Sequence, residues 1–270
     1  IVTDAAVNSV TERFDAMFVM DVEQLDSNGD NVTSDEQTPN VALTSQQFSD
    51  RVVDTSFAAA YFPDIVMSDP TTKTNLFVPP SVQVLGALAL NDAVGHPWFA
   101  PAGMVRGALP SALEARVKLS KPNMDKLYDV SINPLIAFPG NASSGTNPKG
   151  GVTVWGQKTL QKAATSLDRV NVRRLLIDLR RQVREIAYTF IFEQNRETTL
   201  SRFEDAVRPR LKRVQDLAGV DAFKVQIDLS TTTQQDIDNN TVRGKIWIKP
   251  TKAIEYVSID FVVGNSTTVI

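Results

Sequence analysis

The first half of the chain alternates between short apolar runs and polar stretches that interrupt them. FDAMFVMDVEQL (14–25) is apolar with polar flanks, which predicts a buried strand. A polar, acidic loop follows, and a helix is expected to begin at Thr44. FAAAYFPDIV (57–66) predicts a second strand, and VPPSVQVLGALALND (78–92) opens with two prolines that suit the first turn of an apolar helix. This order indicates an α/β unit.

The second half contains two stronger helical patterns. In NVRRLLIDLRRQVREIAYTFIF (171–192), apolar residues recur at helical spacing and arginines fill the opposite face, which predicts a strongly amphipathic helix. Asp168 and Asn171 are candidate N-caps for it. A second helix is expected over 200–217, with Gly219 as its C-terminal stop.

Three segments with period-2 alternation close the chain and predict half-buried strands. They are AFKVQID (222–228), TVRGKIWIKP (241–250) and AIEYVSIDFVV (253–263). The break at 249–252 is short enough for a hairpin between the last two. The expected fold is therefore an α/β domain followed by an α+β domain in which two long helices pack on an antiparallel sheet.

The segment HPWFAPAG (96–103) separates the two halves and contains the only histidine. Its side chain could be a catalytic base, because histidine titrates nearest to neutrality. A packed corner is favoured, since no nucleophile motif lies near it in the sequence. The residues expected to form this structural corner are His96, Pro97, Trp98, Phe99, Pro101 and Gly103.

Composition limits the possible chemistry. The chain of 270 residues has no cysteine, which excludes a disulfide scaffold, a thiolate metal site and a cysteine nucleophile. No apolar run approaches the roughly 18–20 residues that span a bilayer. The first residues do not resemble a signal peptide, and because they lack a starting Met the chain is expected to be a fragment or a processed product.

Charge is distributed very unevenly. Residues 1–70 contain thirteen acidic and two basic residues, whereas residues 166–213 contain twelve basic and seven acidic ones. Such polarity favours oriented packing against a charged neighbour, although it also fits the solvated faces of two domains.

The arginine-rich helix could in principle contact nucleic-acid phosphates. Asp178 and Glu185 interrupt its charged face, no aromatic residues are interleaved for base stacking, and the pI is near 5.3. Contact with protein is therefore favoured over contact with nucleic acid.

Two loops only partly match ligand-binding motifs. DSNGDNVTSDEQ (26–37) begins like a calcium loop but has Asn31 in place of the required Gly and Gln37 in place of the bidentate Glu, so an acidic surface loop is favoured and calcium stays open. GNASSGTN (140–147) has the glycine spacing of a phosphate loop without its Lys. We assign no catalytic, cofactor-binding or metal-binding residue, and we expect no cofactor.

Several stretches in order resemble the C-terminal half of contractile bacteriophage tail sheath proteins. They are HPWFAPAG, LYDVSINPLIAFPG (127–140), VTVWGQKTL (152–160), SLDRVNVRRLLIDLRR (166–181), FKVQID and GKIWIKPTKAIEYVSIDFVV. The resemblance runs from about Phe14 to Val263 and is strongest from His96 onward. It implies a structural protein, not an enzyme, that forms stacked six-subunit rings around a tail tube and contracts to drive the tube through the host envelope.

The resemblance also implies a domain division and partners. Residues 1–105 would be the family's α/β middle domain, of subtilisin-like topology and without its N-terminal part, and residues 106–270 the inner domain. The expected partners are other copies, the tail tube protein, and the baseplate and tail terminator proteins, with no nucleic acid and no membrane. The protein would be found in the virion tail after assembly in the host cytoplasm. Alternatives are the sheath of a related injection system or bacteriocin, or a hydrolase that uses His96.

The interface candidates come from the arginine helix and from the last strand, which in the family adds to a neighbouring subunit's sheet. They are Arg173, Arg174, Arg180, Arg181, Arg184, Ile254, Tyr256, Ile259 and Phe261. Contacts between the arginines and acidic surfaces could re-pair between two sheath states. Because the family's N-terminal arm falls outside these residues, this chain is expected to be monomeric in dilute solution.

Overall fold

A computed structural model describes residues 2–139, 150–228 and 230–255. The helices are α1 (Val2–Arg13), α2 (Val41–Asp50), α3 (Pro80–Val94), α4 (Gly103–Arg106), α5 (Lys121–Asp129), α6 (Val170–Tyr188), α7 (Glu197–Asp216) and α8 (Gln234–Asp238). The strands are β1 (Phe18–Asp21), β2 (Ala58–Phe62), β3 (Ile65–Ser68), β4 (Asn75–Val78), β5 (Ala108–Leu109), β6 (Ala112–Ala115), β7 (Ile132–Pro139), β8 (Gly150–Val154), β9 (Val220–Gln226) and β10 (Lys245–Pro250).

The central sheet has five strands in the order β1-β2-β7-β8-β5. The pairs β1–β2 and β2–β7 are parallel, whereas β7–β8 and β5–β8 are antiparallel. Every residue of β2 is buried, as expected for a central strand covered on both faces. Its alternate side chains enter two cores: one includes α1, α2 and α5, and the other includes α3. The predicted mixture of helices and sheet is thus confirmed.

The apolar run 57–66 forms two strands instead of the single strand predicted. β2 ends at Phe62, just before Pro63, and β3 then joins a separate three-stranded sheet in the order β4-β3-β6. Pro63 has no N–H to donate to a strand ladder, which favours a break between the two strands at this position.

The start of α2 also differs from its prediction at Thr44. The Oδ1 of Asn40 accepts hydrogen bonds from the backbone N–H groups of Ala42 at 3.0 Å and Leu43 at 3.2 Å, so the helix begins at Val41. Thr44 is buried inside the helix, and its Oγ1 accepts a hydrogen bond from the N–H of Leu25.

The sheet runs across the predicted boundary between residues 105 and 106. β1 and β2 precede that point, whereas β5, β7 and β8 follow it. The division of the chain into domains 1–105 and 106–270 stays a prediction.

A third core joins α6 and α7 to the antiparallel pair β9–β10, as the α+β pattern predicted. Its buried residues include Leu175, Leu179, Leu200, Val207, Leu211, Val214, Val220 and Val225. In the described part of the chain, even these long helices are not apolar enough to cross a membrane. Residues 251–255 form no strand, and the remainder of the third predicted strand, from residue 256, lies outside the described residues.

Neither predicted N-cap of α6 caps it. The helix begins at Val170 after Arg169, with no side-chain cap. Asp168 instead forms an ion pair with Arg169 at 2.9 Å, and the Nδ2 of Asn171 donates to the carbonyl of Trp98 at 3.3 Å. Both side chains are used for contacts outside the helix.

The end of α7 also has a different cause from the one predicted. Ala218, not Gly219, has the positive φ, at 57°. A Cβ at position 219 would lie 2.6 Å from the Cγ1 of Val214 and 3.1 Å from the Trp98 ring. Glycine suits this position because a side chain would clash with Val214 and crowd the indole.

Replacement of Trp98 tests how strongly the third core depends on this indole, which is 8% exposed. We expect Trp98→Ala to lower the free energy of unfolding by about 3–5 kcal/mol, because it leaves a cavity. Trp98→Phe should cost less, since it retains an aromatic ring and loses the hydrogen bond from Nε1 to the carbonyl of Leu217. Urea unfolding of the two variants measures the difference, and equal, small losses would contradict this assignment.

Candidate functional site

The corner 96–103 is organised by aromatic stacking. The His96 imidazole lies flat against the Trp98 indole, with ring centroids 4.5 Å apart and an interplanar angle of 14°. The side chain of Asn91, on α3, donates to the carbonyls of His96 at 3.1 Å and Phe99 at 3.3 Å. Within the described ranges, no side chain forms a hydrogen bond with the imidazole. The arrangement therefore provides packing contacts and no orienting partner for a general base.

The other corner residues continue this packing. Pro101 is buried, and Gly103 has a φ of 82° where α4 begins. The guanidinium of Arg106 lies 5.1 Å from the Phe99 ring centroid, and its Nε donates to the carbonyl of Ala100 at 3.2 Å. Pro97 lines the cleft described below.

The prediction that the arginines form one charged face of α6 is wrong for the first turns of the helix. Both arginines there contact other parts of the same chain. Arg173 is 9% exposed, lies 3.9 Å from the Phe57 ring centroid and donates to the Oγ of Ser56. Burial lowers the pKa of Arg173. Arg174 donates to both carboxylate oxygens of Asp92, on α3, at 2.7 and 2.6 Å. These contacts fix the N-terminal half of α6 against the first half of the chain.

The later arginines of α6 are more available to another molecule. Arg180, Arg181 and Arg184 line a cleft of 440 Å³ that is also bordered by Asp15, Asp92 and Asp178. Arg181 pairs with Asp178 at 2.9 Å, yet its side chain remains 72% exposed. The cleft thus combines exposed cations with carboxylates and fits a partner surface that carries both charges.

The end of the α6 helix is apolar and exposed. Tyr188, Ile191 and Phe192 are 62%, 52% and 103% exposed, and Phe192 has a positive φ of 73°. These residues form a tip between α6 and α7 that sequence analysis did not identify.

A second site, which we call the Glu255 clamp, fixes the last described residue. The Glu255 carboxylate accepts hydrogen bonds from the Nε and Nη2 of Arg169 at 2.7 and 2.9 Å, from the Tyr128 hydroxyl at 2.8 Å and from the Nε2 of Gln157 at 3.0 Å. The ammonium of Lys158 lies 3.6 Å from the Tyr128 ring centroid. Burial by itself would raise the pKa of Glu255, but these donors together hold it below its ordinary value.

The clamp was not foreseen from the sequence, because its members are distant along the chain. Of the predicted interface residues on the last strand, Ile254 is 86% exposed. Tyr256, Ile259 and Phe261 lie outside the described residues.

The acidic loop 26–37 is closed by its own hydrogen bonds. The Oδ1 of Asp26 accepts from the backbone N–H groups of Asn28 at 2.8 Å and Asp30 at 3.0 Å, and Gln37 donates to its Oδ2 at 3.4 Å. In the part of the chain that the structure describes, no three His, Asp or Glu side chains gather as metal ligands. The loop 140–147 lies outside the described residues.

Comparison with known proteins agrees on one class. Residues 162–264 match the family described as the phage tail sheath C-terminal domain. The tail sheath protein of Vibrio phage KVP40 is 34% identical over 194 residues, which is 72% of this chain and 28% of that relative.

Two solved structures share the fold. A chain of the anti-feeding prophage baseplate aligns with a TM-score of 0.73 and 19% identity over 96% of this chain and 64% of its own length. A chain of the PVC sheath complex, an extracellular contractile injection system in its contracted state, aligns with a TM-score of 0.72 and 25% identity over 90% of this chain and 63% of its own length.

The fold is therefore that of a contractile sheath protein. Residues 162–264 belong to the phage tail sheath C-terminal domain family, which confirms the resemblance seen in the sequence. The matched region spans 28% of the length of the KVP40 relative.

The Glu255 clamp makes the stability of the chain depend on pH. Because the pKa of Glu255 is lower in the folded state than its ordinary value of 4.5, its contribution is complete above 4.5 and is lost as the pH falls through the lower folded value. We expect Glu255→Gln to reduce stability at neutral pH and to remove part of the loss seen on acidification. Chemical unfolding at several pH values measures both effects.

Glu114→Gln is the matched control, since among the described residues the Glu114 side chain forms an exposed pair with Lys118 at 3.2 Å and no other ion pair. An identical pH profile for Glu255→Gln and the parent chain would contradict the role of the clamp.

Proposed function

We propose that the protein to which this chain belongs is the structural subunit of a contractile phage tail sheath. It polymerises as stacked hexameric rings around the tail tube and contracts to drive the tube through the host envelope during genome delivery. The observation that carries this proposal is the 34% identity to a phage tail sheath protein. The likeness to a sheath in its contracted state supports it.

Its partners are then other copies of itself, the tail tube protein, and the baseplate and tail terminator proteins, without nucleic acid, membrane or cofactor. It assembles in the host cytoplasm and resides in the virion tail. The subtilisin-like topology of the first part and the division at residue 105 belong to the same proposal.

The contacts of α6 support movement as a rigid body. Arg173 and Arg174 tie the helix to the loop before β2 and to α3, so it follows the central sheet. Arg180, Arg181 and Arg184 lie further along and are exposed, although Arg180 lies 5.3 Å from the Phe14 ring centroid and Arg181 pairs with Asp178. Exposed charges on a rigid element are suited to exchanging partners between two packing arrangements.

A sheath of a related contractile injection system is the second candidate. It is favoured by the two structural likenesses, one to an anti-feeding prophage baseplate and one to the PVC sheath complex. Both candidates share one mechanism, and particles with or without a genome-filled head would separate them.

Electron microscopy of the full-length protein tests the proposal directly. We expect striated tubes, with shorter and wider tubes after contraction. Failure to polymerise, alone or with the tube protein under assembly conditions, would overturn the proposal.

Charge reversal tests the role of the arginine cleft. We expect Arg180→Glu with Arg181→Glu to reduce tube formation by about a hundredfold or more, since like charges across an interface cost several kcal/mol. Arg210→Glu with Arg213→Glu, two exposed changes on α7, makes the same change in net charge and should assemble normally. Equal assembly of both double variants, measured by sedimentation of tubes, would remove the cleft from the interface.

A further inference from the structure

One face of the β9–β10 pair is exposed and carries lysines around an indole. The register places Lys224 opposite Trp247, and Lys245 and Lys249 lie two residues to either side of Trp247 on β10, so these four side chains share one face. We call this surface the lysine face. The opposite face of the pair, to which Val225 belongs, packs into the third core.

The lysine face presents hydrogen-bond donors only. Its three lysines are exposed and form no ion pair within the described ranges, where the paired lysines are others. The Nζ of Lys224 lies 5.2 Å from the Trp247 ring centroid, and the indole, which is 46% exposed, can donate but not accept. This face is therefore complementary to a surface that offers carboxylates without basic residues of its own.

The same chain carries a surface of that kind. Residues 14–50 contain eight acidic residues and no Lys or Arg. In the acidic loop 26–37, the side chains of Asp30, Asp35 and Glu36 are exposed, and none of them forms an ion pair in the part of the chain that the structure describes. The lysine face and the acidic loop thus do not neutralise each other within one molecule.

The acidic loop is fixed by hydrogen bonds to its backbone. The Oε1 of Gln37 accepts from the N–H groups of Thr33 at 2.8 Å and Ser34 at 3.0 Å. The buried side chain of Arg116 donates from its Nη2 to the carbonyl of Gln37 at 2.9 Å. A partner would therefore meet carboxylates on a backbone that is already ordered, which lowers the entropic cost of binding.

We infer that the lysine face of one copy binds the acidic loop 26–37 of a second copy. The inference rests on the proposed function, in which copies of this protein assemble. Because the two surfaces differ, the contact is heterologous: each copy offers its loop to one neighbour and its lysine face to another. Contacts of this type continue into a ring or a helix instead of ending at a dimer.

Nucleic acid is the other polyanion that could meet lysines beside an exposed indole. Trp247 is the one aromatic residue of this face, whereas successive bases stack on successive rings. The pI of the chain, near 5.3, is also far below that of dedicated nucleic-acid binders. An acidic protein surface is the better complement.

Zero-length cross-linking tests the contact. A carbodiimide activates a carboxylate, and a lysine amine in contact with it then forms an amide and releases the reagent as a urea. In an equal mixture of unlabelled and isotope-labelled chains at millimolar concentration, links between copies join one labelled and one unlabelled peptide. We expect mass spectrometry to find such links between the lysine face and loop 26–37, with a yield that falls from about 0.1 M to about 1 M salt as the charges are screened.

Charge reversal of either surface should weaken the contact. We expect Lys245→Glu with Lys249→Glu to lower the yield of links from Lys224 to the loop by about tenfold, which corresponds to about 1.4 kcal/mol. Asp35→Lys with Glu36→Lys should have a similar effect. A mixture of these two double variants should cross-link well, because every contact between the two kinds of chain then pairs opposite charges.

Lys73→Glu with Lys126→Glu is the matched control, since it makes the same change in net charge at two exposed lysines away from this face. The control should cross-link like the parent chain, and urea unfolding checks that each variant folds.

Three results would overturn the inference. Links from the lysine face to carboxylates throughout the chain in equal yield would mean that the loop is not its partner. Equal yields for the reversed and control variants would mean that the charges do not matter. Retention on single-stranded DNA that is lost in Lys245→Glu with Lys249→Glu, without links to the loop, would assign the face to nucleic acid. Because the links are measured on isolated chains, failure of this contact is distinguishable from failure of the full-length protein to form tubes.

Discussion

The contacts of the Trp98 indole hold the two halves of the molecule in one arrangement. The ring packs against Gly219, just after α7, and its Nε1 donates to the carbonyl of Leu217. The backbone carbonyl of Trp98 accepts a hydrogen bond from the side chain of Asn171 on α6. The imidazole of His96 stacks on the same indole ring. Through its ring and its backbone carbonyl, Trp98 connects the segment after α3 to α6 and to the residues that follow α7.

Arg173 and Arg174 complement this connection with charged contacts. Burial of a guanidinium is costly unless it is compensated, and here an aromatic ring and a hydroxyl surround Arg173. The Asp92 carboxylate neutralises Arg174. Two arginines of the basic region seen in the sequence are therefore compensated by contacts inside the chain. The arginines on the later turns of α6 remain exposed.

The spacing of apolar residues and the positions of prolines explain which elements were predictable. The apolar period of 3.6 identified α6 and α7, the alternation of 2 identified β9 and β10, and two prolines identified the start of α3. Helix α1 was missed because its apolar residues form only a weak stripe. Sequence alone could not show that β7 would join β2, because parallel pairing joins residues that are far apart.

The sites were less predictable for the same reason. Arg173 was expected to be an interface residue on the charged face of the helix, and its burial depends on Phe57, more than a hundred residues earlier. The Glu255 clamp likewise joins Tyr128, Gln157 and Arg169, which share no local motif. Pairings of this kind become visible only when the sheet has brought the segments together.

The unequal attachment of α6 along its length has a mechanical consequence. Its first turns are bound to the sheet and to α3, whereas its end at Tyr188 is exposed. The helix from Val170 to Tyr188 is about 27 Å long. As a lever pivoting at its fixed end, it would convert a rotation of about 10° into a displacement of about 5 Å at the apolar tip, which is close to one helical turn. Small changes in the orientation of the sheet would thus be amplified at the surface that carries Tyr188, Ile191 and Phe192.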